Sequence, residues 1–213
     1  VYRRTTSAPN EQWQMDHTLL DVMILDDRQQ PVRPWLTIVL DDYSRAIAGY
    51  AVSVSAPTAE HSALAFHQAI ARKRNPKWVV SGLPDILYSD HGSDFTSTRI
   101  EHVCLDVHVR LIHSRIGVPQ GRGKIERFFR TVREQFLVEV TDTSSEDLAA
   151  AGVDHRGALL ELNRLFMAWV ETEYHRRTHS ETEAPPLARW EDGWDRLGGL
   201  PALPTAAALP EAF

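Results

Sequence analysis

Hydrophobic and polar positions alternate from Gln12 to Leu25 among β-favouring residues, and Trp35 to Leu40 (WLTIVL) is a nearly continuous apolar run. Both patterns predict strands, the second buried on both faces. Asp41 to Arg45 form a polar turn, after which Ala46 to Val54 supply a third strand, antiparallel to the second and stopped by Pro57. From Thr58 to Arg74 the apolar positions Ala59, Ala63, Phe66 and Ile70 recur at helical steps behind a Thr58 cap. Pro84 to Tyr88 reads as a short strand ending in the tight turn Ser89, Asp90, His91, Gly92. A helix over Thr98 to Val107 and a strand over Val109 to His113 follow. Gly117, Pro119, Gly121 and Gly123 then mark a loop before a helix that starts near Lys124. In that helix Ile125, Phe128 or Phe129, Val132 and Phe136 make an apolar stripe, while Glu126, Arg130 and Arg133 fall on another side at i, i+4 and i+7. Thr141 to Asp147 is a polar connection. A long amphipathic helix is predicted over Arg156 to Tyr174, a short one over Leu187 to Leu197, and a loosely held strap over Gly198 to Phe213. The order is α/β with five strands.

Composition narrows the class. With 213 residues, 43% hydrophobic and 24% charged, the chain has the size of one globular domain with an appendage. No apolar run reaches the roughly 18 residues of a membrane span, and no signal-peptide pattern opens the chain, so a soluble, unexported protein with no membrane partner is expected. Cys104 is the only cysteine, which excludes an internal disulfide and a cysteine-rich zinc site and fits a reducing cytosol. The first residue, Val1, leads us to expect further domains in a longer protein. The net charge of -6 argues against indiscriminate coating of nucleic acid. Yet Arg110, Arg115, Arg122, Lys124, Arg127, Arg130 and Arg133, against Glu126 alone, give +6 within 24 residues. Charge by itself fits a phosphate-binding strip and an internally paired helix face equally well.

Three carboxylates stand out by context. Asp16 lies within the first strand among apolar neighbours and needs a partner there. Asp90 follows a strand directly, at the carboxyl end where open α/β sheets assemble their sites. Glu126 sits in the first turn of a helix after a glycine-rich loop, with 35 residues between it and Asp90. Each alone reads as a turn, cap or surface acid, like Asp41, Asp42 and Asp94 around them. Together they offer the hard oxygen donors that two divalent ions roughly 3.5 to 4 Å apart require from different elements.

The motifs WQMDHT around Asp16, RPWLTIVLDDYSRAIAGY, YSDHGSDF around Asp90 and GRGKIERFF around Glu126 resemble the transposase and retroviral integrase superfamily with a DDE triad. YHRRTHSETEAPPLARW is similar to the stretch after the core in bacterial transposases of the TniA, TnsB and phage Mu type. The resemblance covers about residues 10 to 140 and implies an RNase H-like fold, with a mixed five-stranded sheet flanked by helices and a helical C-terminal extension. The expected division is a catalytic core over 1–140, an extension over 141–197 and a tail over 198–213. The resemblance further implies that Asp16, Asp90 and Glu126 are catalytic and hold two Mg²⁺ ions, with Mn²⁺ as a substitute. Arg122, Lys124, Arg130 and Arg133 are then candidates for DNA phosphates, and His17, His91 and Asp94 for groups surrounding the triad. Two departures are His91, where many relatives have Asn, and Asp94, where many have Glu. The implied activity is cleavage of DNA 3′ ends and strand transfer during transposition in the bacterial cytoplasm, at the nucleoid. Transposon-end and target DNA, a multimer on DNA and an AAA+ ATPase are the implied partners. Competing expectations are a two-metal nuclease that does not join, and a noncatalytic DNA-binding assembly subunit.

Other motifs fail on inspection. The loop ending at Gly123 and Lys124 has Val118 and Ile125 where a P-loop requires Gly and Ser or Thr. His175 and His179 lack a third zinc ligand, so a structural or solvent-facing role is expected. Tyr43 and Ser44 read as turn residues, and the six tryptophans as core or interdomain anchors.

Overall fold

The computed structural model describes residues 6–90, 98–114, 123–142 and 155–200. Its centre is a five-stranded mixed sheet in the order β5-β4-β1-β6-β7. The strands are β1 (Gln12–Leu19), β4 (Trp35–Asp41), β5 (Ile47–Ser53), β6 (Ile86–Ser89) and β7 (Arg110–His113). β1, β4 and β5 pair antiparallel, whereas β1 with β6 and β6 with β7 pair parallel. The flanking helices are α1 (Ala59–Ile70), α2 (Thr98–Asp106), α3 (Gly123–Thr131), α4 (Leu137–Asp142), α5 (His155–Trp169) and α6 (Pro186–Arg196). Sheet, flanking helices and C-terminal helices match the architecture expected from the sequence.

Several elements differ from their predicted bounds. The strand expected to run to Leu25 stops at Leu19, and Ile24–Leu25 and Pro31–Val32 form a separate antiparallel pair, β2 and β3. The turn between them is set by Asp26, whose Oδ1 accepts from the N–H groups of Arg28 and Gln30, an Asx turn that competes with a continuing strand. Helix α1 begins at its predicted Thr58 cap, where Thr58 Oγ1 accepts from His61 N–H, but ends at Ile70. Ala71 turns extended, and Lys73 folds back to donate to Ala69 O at 2.9 Å and Val80 O at 2.5 Å, stabilising the helix end. The two long C-terminal helices each contain a π-helical turn, Val132–Phe136 after α3 and Val170–Tyr174 after α5.

The hydrophobic core is one cluster. Trp13 and Met15 of β1, Leu36, Ile38 and Leu40 of β4 and Phe66 of α1 join Ile125, Phe128 and Phe136 after the glycine-rich segment, and Phe166, Trp169, Tyr174 and Trp190 of the C-terminal helices. Phe128 meets Tyr174 edge-on at 4.8 Å, and Phe136 meets Phe166 at 5.3 Å. The helical extension therefore shares its core with the sheet rather than carrying one of its own. Gly49 shows how closely α1 lies on β5: a Cβ there would come within 2.4 Å of Ala65 O and 2.6 Å of Ala69 N.

Candidate active site

Strand register brings the first two carboxylates together. β1 and β6 run parallel with Met15 opposite Ser89, so Asp16 and Asp90 are the next residues along the two strand paths. Side chains alternate across a strand, which puts Trp13 and Met15 on one face of the sheet and Gln14 and Asp16 on the other. Trp13 packs its ring against Phe66 of α1; Gln14 instead donates to Asp42 Oδ1 at 2.5 Å. Asp16 is buried, and its Oδ1 accepts the N–H of His17 at 2.9 Å. The His17 ring hydrogen-bonds through Nδ1 to Thr37 Oγ1 across the β1–β4 pair, at 2.8 Å. Asp90 is half-buried, and its Oδ1 accepts from Ser114 Oγ at 3.1 Å. Ser114 arrives because β7 pairs with β6 at Ser89 and His113; His113 Nδ1 lies 3.1 Å from Ser89 Oγ and 3.2 Å from Asp90 O.

Glu126 comes from α3, which packs against β1. It is in the helix's first turn and exposed, as are Arg130 and Arg133, while Ile125, Phe128 and Phe129 are buried. Lys124, two residues earlier, forms an ion pair with the buried carboxylate of Asp42 at the end of β4. Asp42 also accepts from Gln14 and, at 2.9 Å, from Thr6 Oγ1. One aspartate thus links β1, two residues before Asp16, to α3, two residues before Glu126. Positions i and i+2 point to different sides of a helix, so Lys124 turns to Asp42 while Glu126 faces solvent. Burial holds the Lys124 ammonium below the ordinary lysine range, against the opposing pull of Asp42. Among the described residues no three His, Cys, Asp or Glu side chains gather closely enough to hold a metal, so Asp16, Asp90 and Glu126 do not all converge in this conformation. His91, Asp94 and Arg122 lie outside the described residues.

The turn 41–45 is the polar hub beside the site. Asp41 is fully buried; its carboxylate accepts from Asn10 N–H at 2.9 Å and from Ser44 N–H and Oγ at 2.8 and 2.6 Å. Burial outweighs these bonds and pushes its carboxyl up to about 6. Ser44 and Tyr43 are turn residues, as their sequence context predicts. Arg45 takes up φ 70°, in the left-handed region, with its side chain buried. The C-terminal extension grips this turn from outside: Tyr174 OH donates to Arg45 O at 2.8 Å, Ile47 N–H donates to His175 Nε2 at 2.9 Å, and Arg189 Nε donates to Tyr43 O at 3.0 Å. Glu181 pairs with Arg45 at 3.4 Å and also with Arg127 of α3. His175 is wholly buried, and its Nε2 is taken up by the Ile47 N–H. Sequence reasoning missed Ser114, Asp42 and Glu181 as neighbours of the site, because register and long-range pairing select them and no local motif marks them.

Comparison with known proteins places this arrangement. The family model described as the TnsB C-terminal domain matches residues 14–141. The chain is 47% identical over 188 residues to the transposase for transposon Tn552 of Staphylococcus aureus, covering 88% of this chain and 38% of that protein. It is 26% identical over 227 residues to the transposon Tn7 transposition protein TnsB of Escherichia coli, covering 92% of this chain and 32% of TnsB. It therefore spans 38% and 32% of the length of these two relatives. Among solved structures, the HTLV-2 integrase catalytic core domain in complex with magnesium superposes with a TM-score of 0.59 at 17% identity, over 85% of this chain and 96% of that one. The sheet with its flanking helices is the RNase H-like fold of that core. With the family model spanning both aspartates and the helix of Glu126, this chain belongs to the TnsB C-terminal domain family.

Proposed function

We propose that this chain is the catalytic part of a transposase that cleaves DNA at the 3′ ends of a transposon and joins those ends to target DNA. The observation that carries the reading is the β1–β6 register, which sets Asp16 beside Asp90, with α3 and its Glu126 packed on the same strand. The three side chains supply only hard carboxylate oxygens, the donor type suited to Mg²⁺. Asp16, Asp90 and Glu126 would hold two such ions, which supply Lewis-acid polarisation of the attacking and departing oxygens. The HTLV-2 core to which this fold is similar is described with magnesium.

The chain's own residues orient the reactants. His17 N–H and Ser114 Oγ each fix one oxygen of the two aspartates. Arg130 and Arg133 share the exposed side of the helix with Glu126 and would hold DNA phosphates beside it. Arg122, outside the described residues, is assigned the same role; Lys124 reaches DNA only by leaving Asp42. In the first step the oxygen of water attacks the phosphodiester at the transposon end and releases a 3′-hydroxyl. In the second, that hydroxyl attacks a target phosphodiester and displaces the target's 3′-oxygen, so no covalent enzyme intermediate forms. Closing the site requires the three carboxylates to converge. A multimer on paired ends, an AAA+ partner for target choice and work at the bacterial nucleoid belong to the same reading. The whole relatives are longer than this chain, so recognition of the ends falls to their other parts.

The exposed position of Glu126 fits one competing reading, a noncatalytic assembly subunit. A strand-transfer assay with Mg²⁺ and transposon-end DNA decides. Wild-type protein is expected to form joined product, and Glu126→Gln to lose it while melting at an unchanged temperature. Joining at the wild-type rate by the variant removes Glu126 from the site, and no joining by either protein supports the assembly subunit.

A further inference from the structure

The first turn of α3 is tied twice to one short turn. Lys124 pairs with Asp42, and Arg127, three residues on, is coupled through Glu181 to Arg45, itself three residues after Asp42. Residues i and i+3 share a side of a helix, so both ties act on one side of α3 and leave Glu126 on the other. The two ties differ in kind. Lys124 and Asp42 are opposite charges in direct contact, but Arg127 and Arg45 are both cations, and Arg45 is buried. Glu181 is the counter-charge between them, and it comes from the C-terminal extension, 136 residues from Arg45 and outside the residues matched by the family model. The pull of Arg127 and Arg45 holds the Glu181 carboxyl below the ordinary carboxylate range. Without that carboxylate two guanidinium groups would face each other across the gap between α3 and the β4–β5 turn, and their repulsion would act directly on the turn of helix that bears Glu126.

We propose that Glu181 is a positioning residue: by neutralising Arg127 and Arg45 together it steadies the first turn of α3, the turn from which the Glu126 side chain must reach Asp16 and Asp90. This rests on the assignment of Glu126 to the active site. The extension then does more than cover the core, because it carries the part that sets the geometry of the helical carboxylate. Ile125, Phe128 and Phe129 seat α3 on the core, Lys124 ties its first turn to Asp42, and Arg127 adds a second polar tie through Glu181. The expected effect is on turnover, since Glu181 has no role in holding DNA.

The test compares wild-type protein with Glu181→Gln, Glu181→Asp and Arg127→Gln in the Mg²⁺ strand-transfer assay, with DNA binding measured in EDTA and thermal melting alongside. Removing an outer group that orients a metal ligand commonly costs about 10-fold to 100-fold. Glu181→Gln is therefore expected to lower kcat by about tenfold or more, to raise the Mg²⁺ concentration needed for half-maximal rate, and to leave KM for DNA and DNA binding unchanged. Glu181→Asp should restore part of the rate. Since Arg127→Gln removes one of the two repelling cations, the double variant with Glu181→Gln should be no slower than Glu181→Gln alone. A Glu181→Gln protein with wild-type kcat overturns the proposal, as does a loss that follows a lowered melting temperature and is not relieved by Arg127→Gln. Glu126→Gln is the control that separates the two readings. If it joins DNA normally the site assignment fails, whereas if it is inactive and Glu181→Gln is fully active only the positioning role falls.

Discussion

At the scale of single residues, burial decides which side chains titrate and in which direction. His175 has both its neighbours in sequence space and its charge state set by the core: its ring lies edge-on to Trp78 at 5.4 Å, Nε2 accepts from Ile47 N–H, and burial, aided by Lys73 and Arg176, pushes its pKa down to about 3. The unfolded chain takes up this proton near pH 6.5 and the folded chain does not, so stability falls as pH drops from about 6.5 toward about 3. The slope is at most about 1.4 kcal/mol per pH unit. Asp41 works the other way. Its folded pKa is about 6 against 3.8, so the folded state holds a proton that the unfolded state has released, and acidification through that window stabilises. The two contributions oppose each other between about pH 4 and 6, which makes the wild-type curve alone uninformative. The discriminating comparison is urea unfolding of wild type and His175→Gln at pH 7, 6, 5 and 4. The deficit of the variant, caused by the lost bond to Ile47, should shrink steadily toward acid; a deficit independent of pH would mean that the imidazole is not held neutral. The candidate site follows the same logic, since what a carboxylate can do here depends on the group beside it: Ser114 for Asp90, a backbone N–H for Asp16, and open solvent for Glu126.

At the scale of elements, the chemistry was easier to see than its supports. Asp90 at a strand's carboxyl end and Glu126 in the first turn of a helix are local features, and both were legible from apolar runs bounded by Gly and Pro. The termination of α1 at Ile70 was not, because Ala71 to Arg74 are residues that a helix tolerates and no Gly or Pro interrupts them, while the helix is ended by Lys73 turning back on Ala69 O and Val80 O. The split of the first predicted strand escaped for a similar reason: Asp26 closes a turn through its side chain, which hydrophobic alternation does not record. Contact between elements yields a further prediction. Gly49 lets α1 lie directly on β5, and no rotamer change can clear a Cβ from the backbone of Ala65 and Ala69. Gly49→Ala should therefore force the two elements apart and destabilise by about 1 to 3 kcal/mol, in the usual range for overpacking. Denaturant midpoints measure this directly, and an unchanged midpoint would show that α1 sits farther from the sheet. The same substitution is expected to leave the register of β1 with β6 intact, since Gly49 pairs only with Val39 of β4.

At the scale of the whole molecule, the extension and the sheet share one hydrophobic core. Phe166, Trp169, Tyr174 and Trp190 complete the core around Phe128 and Phe136, and the polar grip on the turn 41–45 comes from the same segment. Removing residues 155–200 would bare the aromatic side of α3 and leave Arg45 without Glu181. Burying a large apolar side chain is worth roughly 1.5 to 3 kcal/mol, and several are lost at once, against a typical domain stability of about 5 to 15 kcal/mol. A truncated chain ending at Asp142 is thus expected to lack a cooperative thermal transition and to aggregate; a sharp melt for that fragment would show that the first 142 residues fold independently.

The chain's sequence alone determined the element order, the apolar stripe of α3, the addresses of Asp16, Asp90 and Glu126 and the resemblance that joined them, because these depend on periodicity, turn residues and spacing along the polymer. Only the tertiary structure decided that Asp16 lies beside Asp90, that Lys124 turns to Asp42, that Glu126 faces outward, and that Glu181 stands between Arg45 and Arg127. The physical reason is that such pairings are selected by strand register and by the cost of burying an unpaired charge. Both are settled when distant segments meet, and neither leaves a local mark on the chain.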